Sequence, residues 1–248
     1  MQMSSFDQTS KILEHISQND KPQTRKTALS GLYVLTGDDK YQEQMGKDIK
    51  VVNDNYKERK MSPERKAQIK TPDELKTIND DLIAKYKKSK NTDDLNNVVI
   101  SVLMSGVYLP PRRLEYALVK TRDFDKKTDN YIVKNKIYLN QYKTVAKYKQ
   151  QIVELPKEVM VFINKAVKTN GSGYLLQTKL EKPYTSSSLS KKLSALFGMG
   201  ADLLRSSYIN YTLYDDNLLQ KLEAGAEAMG SSVTAQKKFY VKDNIAEQ

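Results

Sequence analysis

The stretch YIVKNKIYLNQYKTVAKYKQQIVEL, residues 131–155, decides the architecture. Tyr131-Ile132-Val133, Lys136-Ile137-Tyr138-Leu139 and Gln151-Ile152-Val153-Glu154-Leu155 are short runs rich in β-branched and aromatic residues, and the turn signal Asp129-Asn130 precedes them. They predict a small antiparallel sheet of about three strands. The sequence on either side reads at helical period. Upstream, Thr71-Pro72-Asp73-Glu74 is a helix start, with a cap, a proline in the first turn and early acids, and the helix continues to about Lys88. Asp93 or Asp94 starts another, in which Leu95, Val98, Val99, Val102 and Leu103 form an apolar face, and Gly106 marks its end. Pro110-Pro111 predicts a short helix that carries Arg112 and Arg113. Downstream, helices are expected over 157–168, 187–197, 201–214 and 217–229, with a last one carrying Tyr240. The fold class is therefore mainly α with a small antiparallel β-sheet (α+β).

The N-terminal part also reads as helical. Ile12, Leu13 and Ile16 share one face of residues 7–19. Leu29, Leu32, Tyr33 and Leu35 recur at helical spacing after Pro22, and a third helix is expected from Lys40 to about Lys57. The polar, highly charged stretch KERKMSPERKAQIK, residues 57–70, separates this part from the rest of the chain. The organisation expected is a helical domain over 1–58, a basic linker over 59–70 and a second domain over 71–248.

The chain carries 41 basic and 30 acidic side chains, a net charge of +11, and both residues 1–70 and the remainder are net positive. Basicity spread over the whole chain suits a polyanionic partner such as DNA. The absence of cysteine excludes disulfides and thiolate metal sites, and the single histidine, His15, excludes a histidine triad or a multi-histidine metal centre. No apolar signal core and no run of membrane-spanning length occurs, so an intracellular protein with no membrane partner is expected, in host cytoplasm, nucleus or virion.

Four basic or nucleophilic positions succeed one another in a telling order: Arg112-Arg113 in LPPRRLEY, Lys143 in NQYKT, Arg205 in DLLRSSY and Tyr240 in KKFY. Attack on a phosphodiester builds a more highly charged phosphorus centre, and arginines match its oxygens as bidentate forks. A lysine can protonate a departing sugar hydroxyl, and a tyrosine hydroxyl can hold the phosphate as a covalent intermediate. Any one of these residues is commonplace; sixteen tyrosines occur in the chain. The ordered set carries the signal.

On these motifs, residues 71–248 resemble a tyrosine recombinase of the phage-integrase family, closest to the integrases of large DNA viruses and virophages, which share a PPRR-type arginine motif and an N-x-Y-K-T lysine motif. Residues 1–58 fit the family's helical core-binding, DNA-clamping domain more loosely. In SGVYLPPRRLEYALVKTRDF, counting from Arg112 puts Glu115, Val119 and Asp123 at the family's acidic, apolar and acidic positions, whereas counting from the double proline favours Arg113. Lys143 falls where the family carries a lysine on a β-hairpin. GADLLRSSY resembles the family's His-x-x-Arg motif, with Arg205 as the arginine and Asp202 at the histidine position. The second histidine or tryptophan position, nine residues before the nucleophile, is Ser231.

The resemblance implies a site-specific recombinase or integrase acting on double-stranded DNA, as a homo-tetramer on two DNA sites, with no cofactor and no metal. Tyr240 attacks the scissile phosphate to give a 3′-phosphotyrosyl link and a free 5′-hydroxyl. Arg112 or Arg113, with Arg205, stabilises the transition state; Lys143 protonates the leaving oxygen; Asp202 and Ser231 stand in for the family's histidines. Two alternatives accompany this reading. A type IB topoisomerase-like enzyme would rejoin the same strand, and a catalytically degenerate relative would bind DNA without cutting it.

Overall fold

The computed structural model describes residues 5–57, 61–213, 220 and 222–225, and its main elements are ten α-helices, α1 to α10, and a four-stranded sheet. They fall into two compact units, Met1–Lys66 and Ala67–Gln248. No helix among the described residues is long and apolar enough to cross a membrane.

In the first unit, α1 (Ser5–Ser17), α2 (Pro22–Thr36) and α3 (Asp39–Lys57) match the expected spans to within two residues. Pro22 opens α2, and Gly37, at φ 68°, ends it in the left-handed conformation that favours glycine. Leu29 and Tyr41 are buried where α2 packs on α3, and the buried Asp48 carboxylate of α3 accepts from the Arg25 guanidinium of α2. Thr9 Oγ1 donates to Asp38 Oδ2 at 2.9 Å and ties α1 to the turn between the other two.

The expected linker is not wholly irregular. Pro63–Gln68 forms a short helix, α4. Its start is the same device that opens other helices in the chain: Ser62 Oγ accepts from the Arg65 amide at 3.4 Å, Pro63 takes the first position and Glu64 the first turn. The boundary between the compact units, after Lys66, falls within it.

The second unit is built around α6 (Thr92–Met104), in which every residue from Asp94 to Met104 is buried. α5 (Pro72–Ser89), α8 (Lys157–Thr169) and α9 (Ser186–Phe197) pack against it. Thr71 and Glu74 form the reciprocal cap predicted for α5. A helix buried on all sides has to pair its polar residues internally, although Asn97 Oδ1 and Ser101 Oγ find no partner among the described residues. Asn96 is paired through Thr92 O, a reciprocal pair with Asn170, and the Gln177 amide. Asp94 accepts from Ser89 Oγ at 2.6 Å, Lys85 Nζ at 2.9 Å and Asn91 Nδ2 at 3.1 Å.

The sheet runs in the order β1 (Val119–Lys120), β2 (Asn130–Val133), β3 (Lys136–Leu139), β4 (Gln151–Glu154). The last three are the predicted strands and pair antiparallel. The fourth strand is a correction: β1 pairs parallel with β2, so the sheet is mixed. Two residues are too short a run to register as alternation, and the pairing is supplied by tertiary contact. Ile132, Ile137 and Val153 form one cross-strand row against the core, and Tyr131, Tyr138 and Ile152 form the opposite row. Between β3 and β4 lies a loop with one helical turn, α7 (Val145–Tyr148). α10 (Ala201–Tyr208) closes the order and runs on into a π-turn over Ile209–Leu213, so the helix expected over 201–214 is α-helical only in its first eight residues. Most of the helix expected over 217–229 and the one expected at Tyr240 lie outside the described residues.

The three partners of Asp94 hold its carboxyl below the ordinary 3.8, Ser89 foremost, then Lys85. The stabilisation from the ionised form is complete above that value and is lost as pH falls through the lower folded-state value. Asp94→Asn is therefore expected to lower the unfolding free energy at pH 7, with the gap to wild type closing below pH 3.8. Urea denaturation at a series of pH values checks it, and a gap independent of pH would contradict this account of Asp94.

Candidate active site

The arginine pair sits on irregular backbone, not on the predicted helix. Leu109 is followed by two prolines, and each disfavours helical backbone in the residue before it. Leu109 and Pro111 are buried while Pro110 is exposed. Helical structure begins only at the 3₁₀ turn Glu115–Leu118. The segment leaves α6 at Gly106, at φ 90°, where an added Cβ would meet Tyr208 at 3.4 Å and Pro111 at 3.5 Å.

Lys143 lies in the loop between β3 and β4. That loop is joined to the arginine segment by one buried side chain, Asn130, at the start of β2. Its Nδ2 donates to Glu115 O at 3.3 Å and to Gln141 O at 2.9 Å. Its Oδ1 accepts from the amides of Asn140 at 2.8 Å and Gln141 at 2.7 Å. The third contribution comes from α10. Leu203, Leu204 and Ser207 are buried on one face, and Ser207 Oγ donates to Lys70 O at 2.5 Å. This leaves Asp202 and Arg205, one turn apart, on the face toward the cleft.

Two adjoining clefts result. One, of about 480 Å³, is lined by Arg112, Arg113, Tyr142, Lys143 and Arg205 among others. Its neighbour, of about 600 Å³, is lined by Arg113, Lys143, Arg205, Asp202 and the α9 serines Ser186 and Ser190. Arg113, Glu115, Tyr142, Lys143 and Arg205 line both. Segments far apart in sequence thus bring the four predicted cations to one place. Among the described residues, none of the four has a carboxylate within 4.0 Å. Arg112 is half-buried, its guanidinium carbon 5.6 Å from the centroid of the Tyr142 ring, whereas Arg113 and Lys143 are exposed.

Three polar atoms on the cleft wall are buried without a hydrogen-bond partner: Arg112 Nε, Glu115 Oε2 and the Tyr116 hydroxyl. Burial pushes the Tyr116 phenol far above its ordinary value; the charge of Arg112 pulls it back and that of Glu115 pushes it further. Tyr116 therefore stays protonated and, sealed in the core, is no nucleophile. Tyr208 and Tyr211 line neither cleft. Ser231, Tyr214 and Tyr240 lie outside the described residues. No group of three or more His, Cys, Asp or Glu side chains able to hold a metal ion occurs among the described residues.

Sequence reasoning missed Asn130, Tyr142 and Tyr116. Asn130 reads as a turn residue, although an asparagine opening an apolar strand is itself a hint of a buried hydrogen-bonding role. Tyr142 and Tyr116 carry no local signal apart from adjacency to the cations. No family model, curated protein or solved structure matches the chain.

Asn130→Ala is expected to remove four part-buried hydrogen bonds, at a cost of about 3 kcal/mol. Chemical denaturation measures it. A cost under about 1 kcal/mol would mean that the loop and the arginine segment are held together by other contacts.

Proposed function

We propose that the protein is a tyrosine-type DNA recombinase that cuts and rejoins DNA strands through a 3′-phosphotyrosyl intermediate. The observation that carries this reading is the convergence of Arg112, Arg113, Lys143 and Arg205 on one cleft, none of them within 4.0 Å of a carboxylate among the described residues. Four like charges held together repel one another, and a bound phosphodiester relieves that repulsion. A cleft with cations on several sides matches a pentavalent phosphorus better than the tetrahedral ground state, because the transition state carries more charge on its oxygens.

Position suggests the roles. The guanidinium groups of Arg112 and Arg205 supply fork-shaped donors from opposite elements, and Arg112, with its Nε sealed, presents its terminal nitrogens. Arg113 is exposed on the boundary of the two clefts and contacts the flanking backbone. Lys143, on a loop, reaches the leaving 5′-oxygen and protonates it. Tyr240 is the nucleophile and Ser231 a neutral hydrogen-bond donor. The free 5′-hydroxyl of a partner strand reverses the attack, so the phosphodiester bond energy is conserved without nucleotide or metal. Duplex DNA is the substrate, and four protomers on two DNA sites are the working assembly.

Asp202 favours a second reading. It is exposed and lines the cleft beside Arg205, and a carboxylate there repels a phosphate. A relative that binds DNA without cutting it would tolerate that.

The test is trapping on a suicide duplex with a nick beside the scissile phosphate, in a library of candidate sites from the element that encodes the protein. Wild type should form a covalent protein–DNA adduct and Tyr240→Phe none, with duplex binding retained. Arg112→Ala should slow adduct formation by about 10²–10³-fold, the usual loss for one transition-state donor. Binding without any adduct would select the second reading. Relaxation of supercoiled plasmid lacking a specific site would select a topoisomerase.

A further inference from the structure

Tyr142 touches both halves of the cleft with opposite ends of one side chain. Its ring lies beneath the Arg112 guanidinium at 5.6 Å. Its hydroxyl donates to the carbonyl of Lys149 at 2.6 Å, across the loop that carries Lys143. The loop is pinned at its start by Asn130 and closed at its neck by Gln150 Nε2, which donates to Asn140 Oδ1 at 2.8 Å. Beyond the neck, α7 ends at Lys149 with φ 57° and ψ −159°, a conformation that side-chain-bearing residues rarely adopt. Such a residue persists only where its surroundings impose it, and the Tyr142 hydroxyl is bonded to that same residue.

We infer that Tyr142 is a positioning residue with two separable functions: its ring orients the Arg112 guanidinium, and its hydroxyl latches the Lys143 loop. The inference rests on the proposed reading of the cleft as a phosphate site. The chemistry of the two contacts makes them independent. An aromatic ring attracts the guanidinium through its π-cloud and leaves the terminal N–H groups for an oxyanion. Phenylalanine would preserve this. The latch needs only the hydroxyl, so phenylalanine would abolish it. Occupancy of the arginine and order in the lysine loop are thereby tied to one residue. A transition state needs both cations at once, and Tyr142 holds them together before DNA arrives.

Two variants separate the functions, Tyr142→Phe and Tyr142→Leu. Limited trypsin digestion reads the latch directly, because Lys143, Lys147 and Lys149 are all exposed in the loop. Tyr142→Phe should raise cleavage after these lysines by about three- to tenfold, the population change expected from one hydrogen bond. The Arg112 Hε resonance reads the ring: a neighbouring aromatic displaces it, so it should hold its shift in Tyr142→Phe and move in Tyr142→Leu. On the suicide duplex, Tyr142→Phe should lower the maximal adduct rate by about three- to tenfold with DNA affinity within twofold, and Tyr142→Leu should lower it by about a further fivefold. Unchanged trypsin sensitivity in Tyr142→Phe would overturn the latch, and an Arg112 resonance indifferent to leucine would overturn the ring contact. Neither readout needs catalysis. A wild type that forms no adduct defeats the recombinase reading alone and leaves the positioning of the two cations decided by digestion and spectrum.

Discussion

The side-chain amide of Asn130 is the joint on which the cleft depends. Four hydrogen bonds radiate from one buried group, two given and two received, so it uses both its donors and accepts twice at its oxygen. Its partners belong to the 3₁₀ turn beside the arginines and to the neck of the lysine loop. The bonds are part-buried, with the asparagine side chain itself shielded, so each is stronger than one made in bulk water. Arg112 and Lys143 are thirty-one positions apart in sequence. This amide links their two segments directly, and the packing of Leu114, Tyr116 and Tyr142 against the core holds the same segments from behind.

Irregular backbone is the appropriate carrier for such groups. A helix or strand would fix the side chains at regular spacings, whereas the cleft needs cations arriving from several directions around one point. The rigid parts are kept behind it: α6 is buried along its length, and α10 is fastened by Leu203, Leu204 and Ser207. The cost is electrostatic. Cations brought together without close ion pairs destabilise the empty cleft, and the partial remedies here are a π-face under Arg112 and the carboxylates of Glu115 and Asp202 in the cleft lining. Burial without partners at Arg112 Nε, Glu115 Oε2 and the Tyr116 hydroxyl is further stability forgone at the same spot. Unpartnered buried atoms also occur away from the cleft, at Asn79, Tyr86, Asn97 and Ser101, so those on the cleft wall are a local cost and not by themselves a mark of a site.

The sequence makes legible whatever rests on local chemistry. Three strands, the caps of α5 and the spans of α1 to α3 are readable because alternation, capping residues and helical period are local signals. The cations of the cleft can be named from their types and order, which suit the reaction proposed above. The misses are the features decided by tertiary context. β1 is two residues long and exists only because β2 lies beside it. Pro110-Pro111 is compatible with a helix start, but Leu109 and Pro111 are buried and helical structure begins only at Glu115. Ser62-Pro63-Glu64 has the grammar of a helix start, and the surrounding charge masks it. Asn130 and Tyr142 are hidden for a related reason: a hydrogen bond to a distant carbonyl leaves no trace in the residue that makes it.

On the proposed reading, the chemistry turns on the proton of the attacking phenol. The only histidine, His15, belongs to the other compact unit. Of the acids in the cleft, Glu115 has an oxygen sealed from solvent, while Asp202 is exposed beside Arg205. A carboxylate is a weaker base than imidazole, by about two units of pKa, so it accepts a phenol proton only against a steep gradient. The compensation has to come from the other side of the equilibrium. Cations around the phosphate favour phenolate over phenol, just as they favour the charged transition state over the diester. The same arginines and lysine would then serve the nucleophile and the oxyanion together, and Asp202, by offsetting part of their charge, would set how far that help extends. A site of this kind would depend on its cations more steeply than one with a histidine base, because each of them is used twice.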